Sequence, residues 1–271
     1  MTPKQGTLAA MLAGLMLGSA VLAGCGTEQA GVSASSAASS EASSAASSAP
    51  APTPSADEFV ASVMRTRDLA TAALEVTVIT DVGGSVRTLS GSGVSAVSKG
   101  YGDILWTDAS GAVTRELSNG KGLFVQTDVP DGTWALLPDE RATPTGRLAD
   151  PLRGLGGLAD ATKAGPEDLD GVATTRYTGI LPASPESLAL LGFSDEELVE
   201  IGTDWQGAVV DVTVWIDAKG RVVGIERSLD LAGSAAAPVS ATTMTVLSDF
   251  TTAIDLEPPP TESVVEAPDG Q

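Results

Sequence analysis

The chain of 271 residues contains no histidine. That absence removes Ser-His-Asp and Cys-His nucleophile systems, and with them the commonest general base near neutral pH. Zinc or iron would have to be held by carboxylates alone, an uncommon donor set. Cysteine occurs once, at Cys25, so no intrachain disulfide forms and the fold rests on a hydrophobic core. After Cys25 no apolar run reaches the roughly 18 residues that a membrane-spanning helix needs. Basic side chains are scarce as well: 15 Lys and Arg stand against 35 Asp and Glu, for a net charge of −20. Phosphate backbones and anionic lipid head groups repel such a chain, which argues against nucleic-acid binding and against membrane adhesion through basic residues.

What is present begins at the N-terminus. One basic residue, Lys4, precedes an apolar segment from Leu8 to Leu22, and small residues then lead into Cys25. This is the layout of an export signal. Leu22-Ala23-Gly24-Cys25 resembles the lipobox of bacterial lipoproteins. The resemblance implies that residues 1–24 are a signal peptide removed on export. It also implies that Cys25 is the lipidation site, bearing a diacylglyceryl group and fatty acyl chains such as palmitate. The mature chain then holds 14 basic and 35 acidic side chains, for a net charge of −21. Two acyl chains anchor a protein stably where one does not, so the expected location is the outer face of the cytoplasmic membrane.

Ala30 to Ala56 is almost entirely Ala, Ser, Pro and Thr, with Glu41 as its single charge. Such a stretch buries too little apolar surface to offset the entropy of ordering. Residues 25–56 therefore read as the lipidated cysteine and a disordered tether of roughly 30 Å mean span; O-glycosylation of its serines is a second reading. Residues 258–271, acidic and Pro-rich, read as a disordered tail. The folded domain is expected over 57–257, long enough for one sizeable core.

Ser55-Ala56-Asp57-Glu58 has capping-box spacing ahead of Phe59, Val60, Val63 and Met64, which predicts a helix over 56–72. The period then switches to two, with Leu74, Val76 and Val78 on one face of a strand. Further strands are predicted at 86–98, 102–107, 111–118, 122–127 and 133–137. Their turns are Asp108-Ala-Ser-Gly111, Asn119-Gly120 and Pro130-Asp131-Gly132. Short connections make neighbours antiparallel. A weakly helical segment with Leu152, Leu155 and Leu158 on one face follows, each of Gly154, Gly156 and Gly157 costing it about 1 kcal/mol against Ala. A strand at 172–180 precedes helices opened by Ser184-Pro185-Glu186 and by the capping box Ser194-Asp-Glu-Glu197. Strands at 208–217, 221–231 and 238–249 close the chain, the first two joined through Asp217-Ala-Lys-Gly220.

The segment Val212-Thr-Val-Trp-Ile-Asp-Ala-Lys-Gly-Arg-Val-Val-Gly-Ile-Glu226 resembles the late hairpin of the LolA-like superfamily, and within it the actinobacterial LprG/LppX lipoprotein family. Leu74-Glu-Val-Thr-Val after the first helix, Gly132-Thr-Trp134, Asp150-Pro-Leu followed by the run Gly165 to Tyr177, and Leu247-Ser-Asp-Phe250 match in the same order. The resemblance implies an α+β fold: a strongly curved antiparallel half-barrel sheet with helices covering its concave face. It implies binding of the acyl chains of a lipid or lipoglycan in an apolar cavity, and carriage within the cell envelope by a monomer working with a membrane transporter. It implies neither enzyme activity nor a cofactor. Domains of this superfamily also serve as envelope sensors that bind a lipoprotein or another protein, and that is the alternative function.

The candidate cavity-lining residues are Val76, Val78, Ile104, Trp106, Phe124, Trp134, Leu136, Leu152, Leu155, Leu158, Leu188, Leu191 and Trp215. Trp205 and Phe193 belong to the same apolar set. Filling a core is the ordinary work of such side chains, and sequence does not distinguish a filled interior from a hollow one. Other motifs carry less. Ser118-Asn-Gly-Lys121 has S-x-x-K spacing but falls on a hairpin turn and lacks its partner motifs. Glu167-Asp168 with Asp170, and Asp195-Glu196-Glu197, read as solvated surface, the latter favoured by a helix N-terminus. Ser90-Gly-Ser-Gly93 lacks the lysine of a phosphate loop and opens no helix.

Overall fold

The computed structural model describes residues 56–266, apart from 128, 130, 131, 138–143, 159, 232–237, 252, 253 and 255. Cys25, its preceding segment and the tether therefore lie outside the described residues, as does Ser55 of the first capping box. A helix, α1 (Ala56–Arg67), is followed by β1 (Thr71–Val82), β2 (Ser85–Ala96), β3 (Tyr101–Asp108), β4 (Val113–Asn119), β5 (Gly122–Thr127) and β6 (Trp134–Leu137). A one-turn helix, α2 (Pro144–Arg147), leads into a 3-10 turn at Leu155–Gly157. Next come β7 (Thr162–Leu169), β8 (Val172–Pro182), α3 (Pro185–Ala189), α4 (Asp195–Ile201), β9 (Val209–Asp217), β10 (Val222–Asp230), β11 (Val239–Thr251) and β12 (Val264–Glu266).

All twelve strands form one sheet in the order β12-β6-β5-β4-β3-β2-β1-β11-β10-β9-β8-β7. Every pairing is antiparallel except that of β12 with β6. β12 and β7 are the two free edges, so the sheet is not closed into a barrel.

Its curvature follows from what crosses it. Residues 148–161, a strap wound into turns and the 3-10 turn, touch β3 at one end and β8 at the other. A Cβ placed on Gly102 of β3 lies 3.1 Å from Ala149, and one on Gly179 of β8 lies 3.2 Å from Leu158. Five strands lie between β3 and β8, which on a flat sheet is about 29 Å at 4.8 Å per step. A coiled segment this short reaches both only because the sheet curls toward it. The strap and helices therefore lie on the concave face.

Strand parity then decides the core. Leu74, Val76 and Val78 of β1, Val210, Val212 and Val214 of β9, and Ile225 and Leu229 of β10 point inward. There they meet Phe59 and Val63 of α1, Leu188 of α3 and Ile201 of α4. The outward face alternates to exposed Glu75, Thr77 and Ile79. Both inner capping boxes form. The Ser184 side chain accepts from the Ser187 backbone and that of Ser194 from the Glu197 backbone, each reciprocated by the partner's side chain.

Four expectations change. The first helix stops at Arg67 rather than 72, because the β-branched and small residues from Thr71 onward pair with β2 and β11. The segment 152–158 forms a single 3-10 turn, with Gly154 at φ 81°, in place of a weak helix. β7 was absent from the sequence reading, since this polar edge strand containing Gly165 and Pro166 shows no apolar alternation. Val264–Glu266 of the Pro-rich tail pairs with Trp134–Leu136, so the expected disordered segment supplies a strand of the sheet.

Candidate functional site

The candidate site is the interior between the concave face and the strap. The strap has no backbone bond to any strand among the described residues; its backbone bonds run to its own residues three positions back, as in Leu155 N–H to the Leu152 carbonyl (3.2 Å) and Leu158 N–H to the Leu155 carbonyl (3.2 Å). Where the strap runs into β7 the Thr162 hydroxyl donates to the Asp160 carbonyl at 3.3 Å, and among the described residues two further side chains tie it to the strands it crosses. The Ser95 hydroxyl of β2 donates to the Ala149 carbonyl at 2.7 Å, and Arg227 Nη2 of β10 donates to the carbonyls of Pro151 (2.9 Å) and Arg153 (3.0 Å). Asp150 binds the strap to α1 through Arg67 at 3.5 Å. Leu152, Leu155 and Leu158 hang beneath it, 0–2% exposed.

Nine of the thirteen candidate residues meet in this interior. Val76, Val78, Ile104, Trp106, Leu152, Leu155, Leu158, Leu188 and Leu191 belong to one cluster and are 0–3% exposed. Two glycines permit the packing. Trp106 lies flat over Gly91 of β2, where a Cβ would stand 2.5 Å from the indole, and Gly192 (φ 82°) admits Val78, which a Cβ would meet at 2.4 Å. The Trp106 indole N–H donates to Glu116 at 3.0 Å, and that buried carboxylate also accepts from the Thr145 hydroxyl at 2.7 Å.

The other four candidates face the opposite side of the sheet, which corrects the expectation that they share this interior. Phe124, Trp134 and Leu136 form a second cluster with Leu117, covered by Leu256 and Val264 from the C-terminal segment. Trp215 projects from β9 with the parity opposite to Val212 and Val214, and packs over Gly224. Alternation in a strand sends successive side chains to opposite faces. Trp215 falls between Val214 and Ile216, and Phe124 pairs with outward Leu117. Trp205 packs against the inner cluster and Phe193 belongs to it.

Sequence reasoning passed over Arg227. It occupies an inward position between Ile225 and Leu229, is 1% exposed, and has no ion pair among the described residues. Burial lowers its pKa to about 10, against which the charge of Asp150 acts. The readable signal was a charged residue on the apolar face of an alternating strand.

Beyond one end of the strap lies a cleft of about 550 Å³ between β3–β5, α2 and α3, with Arg147 and Arg153 in its walls beside Glu186 and Tyr101. The remaining motifs behave as surface chemistry. The Ser118 hydroxyl accepts from the Gly102 N–H at 2.8 Å while Lys121 is exposed. Glu167 pairs with Arg176 at 3.1 Å, and Asp168 accepts from the Gly171 N–H within its turn at 2.7 Å. Glu197 is part of a clamp: burial pushes its carboxyl pKa up, but hydrogen bonds from Arg87 and Ser194 outweigh that and hold it below the usual range. Among the described residues no helix is long and apolar enough to cross a membrane.

No protein-family model matches the sequence, and no curated protein matches it. Among solved structures the chain is similar to lipoprotein LppX of Mycobacterium tuberculosis, at 18% identity over 74% of this chain and 99% of that one, with a TM-score of 0.46. LprF of Mycobacterium bovis matches at 16% identity over 77% and 98%, with a TM-score of 0.48. A LolA superfamily protein of Nitrosomonas europaea matches at 13% identity over 74% and 94%, with a TM-score of 0.28. The open, curled, mostly antiparallel sheet with helices across its concave face is the fold class expected from the sequence.

Proposed function

We propose that this protein is a lipid-anchored lipoprotein of the cell envelope that takes the acyl chains of a lipid or lipoglycan beneath the strap. The strap carries the reading. It closes an apolar interior, yet between its ends it lifts away without breaking one strand–strand hydrogen bond, since among the described residues only Ser95 and Arg227 tie it to the strands it crosses. Acyl chains entering below it would exchange contact with water for contact with Leu152, Leu155, Trp106 and their neighbours, a gain of roughly 0.8 kcal/mol per buried CH₂. No covalent step is needed. The signal peptide (1–24), the diacylglyceryl group on Cys25 and the tether up to residue 56 would hold the domain at the outer face of the cytoplasmic membrane. There a monomer would exchange its cargo with a membrane transporter.

One observation favours a second reading, a sensor or interaction module that binds a protein partner. The inner cluster is packed, its nine candidate side chains no more than 3% exposed. Mass spectrometry separates the two. Residues 26–271, which lack Cys25 and so carry no attached acyl chain, are purified without detergent from a lipid-rich actinobacterial host. A stoichiometric lipid with two or three chains supports carriage and names the cargo class. A protein that emerges without lipid and takes up none when lipid is added overturns it in favour of the sensor.

A further inference from the structure

We propose that Arg227 and Thr243 form the seat of an acidic group, a phosphate or a carboxylate, borne by the amphiphile that enters beneath the strap. The inference rests on the carriage reading above and adds the chemistry of the ligand's polar end.

Three other arginines show how this chain uses a guanidinium. Arg87 clasps Glu197 through Nε (3.2 Å) and Nη2 (2.7 Å), Arg115 clasps Asp103 (2.9 and 2.6 Å), and Arg221 clasps Asp217 (2.8 and 2.6 Å). Each presents the same Nε–Nη2 edge, whose two parallel N–H groups match the two oxygens of a carboxylate or phosphate. At Arg227 that edge is half used. Nη2 donates to the strap carbonyls of Pro151 and Arg153, and Nε, fully buried, has no acceptor among the described residues. Directly opposite on β11 stands Thr243, 0% exposed, whose hydroxyl is also buried without a partner. Its other neighbour across the sheet is Val78, on the floor of the interior.

Two adjacent orphaned polar groups and a cation thus face the space where acyl chains would lie. Neutral carbonyls compensate a buried cation poorly, and an unsatisfied buried donor is costly. Asp150, the acid whose charge acts on Arg227, is engaged by Arg67 and Arg153 instead. When the strap lifts, the carbonyls of Pro151 and Arg153 leave with it and the whole Nε–Nη2 edge becomes free. An acidic group would then take that edge bidentately and accept from the Thr243 hydroxyl. Arg147 and Arg153, in the wall of the adjoining cleft, place positive charge on the approach to this position in a chain of net charge −20.

The test uses three probes that share one chain: hexadecanoate, hexadecyl phosphate and hexadecanol. Affinities for the protein of residues 26–271 are measured by displacement of a neutral fluorescent acyl probe at pH 8. At least one acidic probe is expected to bind about tenfold tighter than hexadecanol, and which of the two wins separates phosphate from carboxylate. Arg227→Gln, which also releases a strap tie and so shifts hexadecanol binding itself, is expected to abolish the ratio between the acidic probes and the alcohol, while Thr243→Val lowers that ratio about threefold. Equal weakening of all three probes by Arg227→Gln makes the residue a clasp for the strap alone and overturns the proposal. If that variant does not fold, an unchanged preference in Thr243→Val overturns it. Absence of any acidic preference in the unsubstituted Arg227 protein overturns it while leaving lipid carriage standing. Failure of all three to bind removes carriage and this inference together.

Discussion

Glu197 accepts four hydrogen bonds, from three residues on three different elements or caps. It reciprocates the Ser194 cap, receives Arg87 on both oxygens and accepts from Thr80 of β1 at 3.3 Å, so one side chain ties α4 to the first two strands. Its folded pKa lies below the ordinary value. Its contribution is therefore complete above the unfolded glutamate pKa of about 4.3 and is lost as pH falls through the lower folded value. Glu197→Gln is expected to cost about 1–2 kcal/mol at pH 7. The stability gap from wild type, measured by urea unfolding at successive pH values, is expected to close as pH drops below about 4; a gap that persists there would show that geometry rather than charge is at stake. Leu155, fully buried beneath the strap, makes the complementary case for packing. Leu155→Ala should cost about 2–5 kcal/mol in the same assay, and a loss under 1 kcal/mol would mean that the strap is already loosely seated.

At the scale of elements, most strands were legible because each half-buried strand alternates with a period of two and ends at Gly, Asn or Asp. The Asp217–Gly220 turn closes as read, with Gly220 N–H on the Asp217 carbonyl at 2.9 Å and Gly220 at φ 74°. β7 and β12 escaped because an edge strand needs hydrogen bonds on one side only and no apolar period. β12 matters beyond its three residues. With Leu256 it covers Leu117, Phe124 and Trp134, so removing residues 254–271 is expected to lower the melting temperature and to shift Trp134 fluorescence to the red. A truncated protein with unchanged melting and emission would return that segment to the status of a dispensable tail. The strap was half legible: its leucines were read as one apolar face, but its glycines unwind the helix and Arg227 and Ser95 fix its path, which depends on strands far away in sequence.

For the molecule as a whole, net charge sets the terms of membrane contact. A chain of net charge −20 is repelled by an anionic bilayer over about 10 Å at 0.1 M salt. The protein of residues 26–271, free of the signal peptide and of acyl chains, is therefore expected to stay in the supernatant when sedimented with anionic vesicles at low and at physiological salt. Co-sedimentation at low salt that disappears at high salt would reveal a basic docking face strong enough to override the net charge.

Composition and local pattern alone determined the α+β class, the antiparallel meander, the Ser194 capping box and the apolar inventory, because each depends on residues within a few positions of one another. Tertiary structure decided which apolar residues share an interior. Trp106 and Trp215 read alike in sequence, yet one packs over Gly91 inside the curve and the other over Gly224 outside it. The parity of a strand relative to a curved sheet is set by pairings such as that of β1 with β11, separated by more than a hundred residues. Arg227 gains its meaning in the same way: a guanidinium on an alternating strand is ordinary until the sheet curls, the strap closes over it, and its Nε is left without an acceptor.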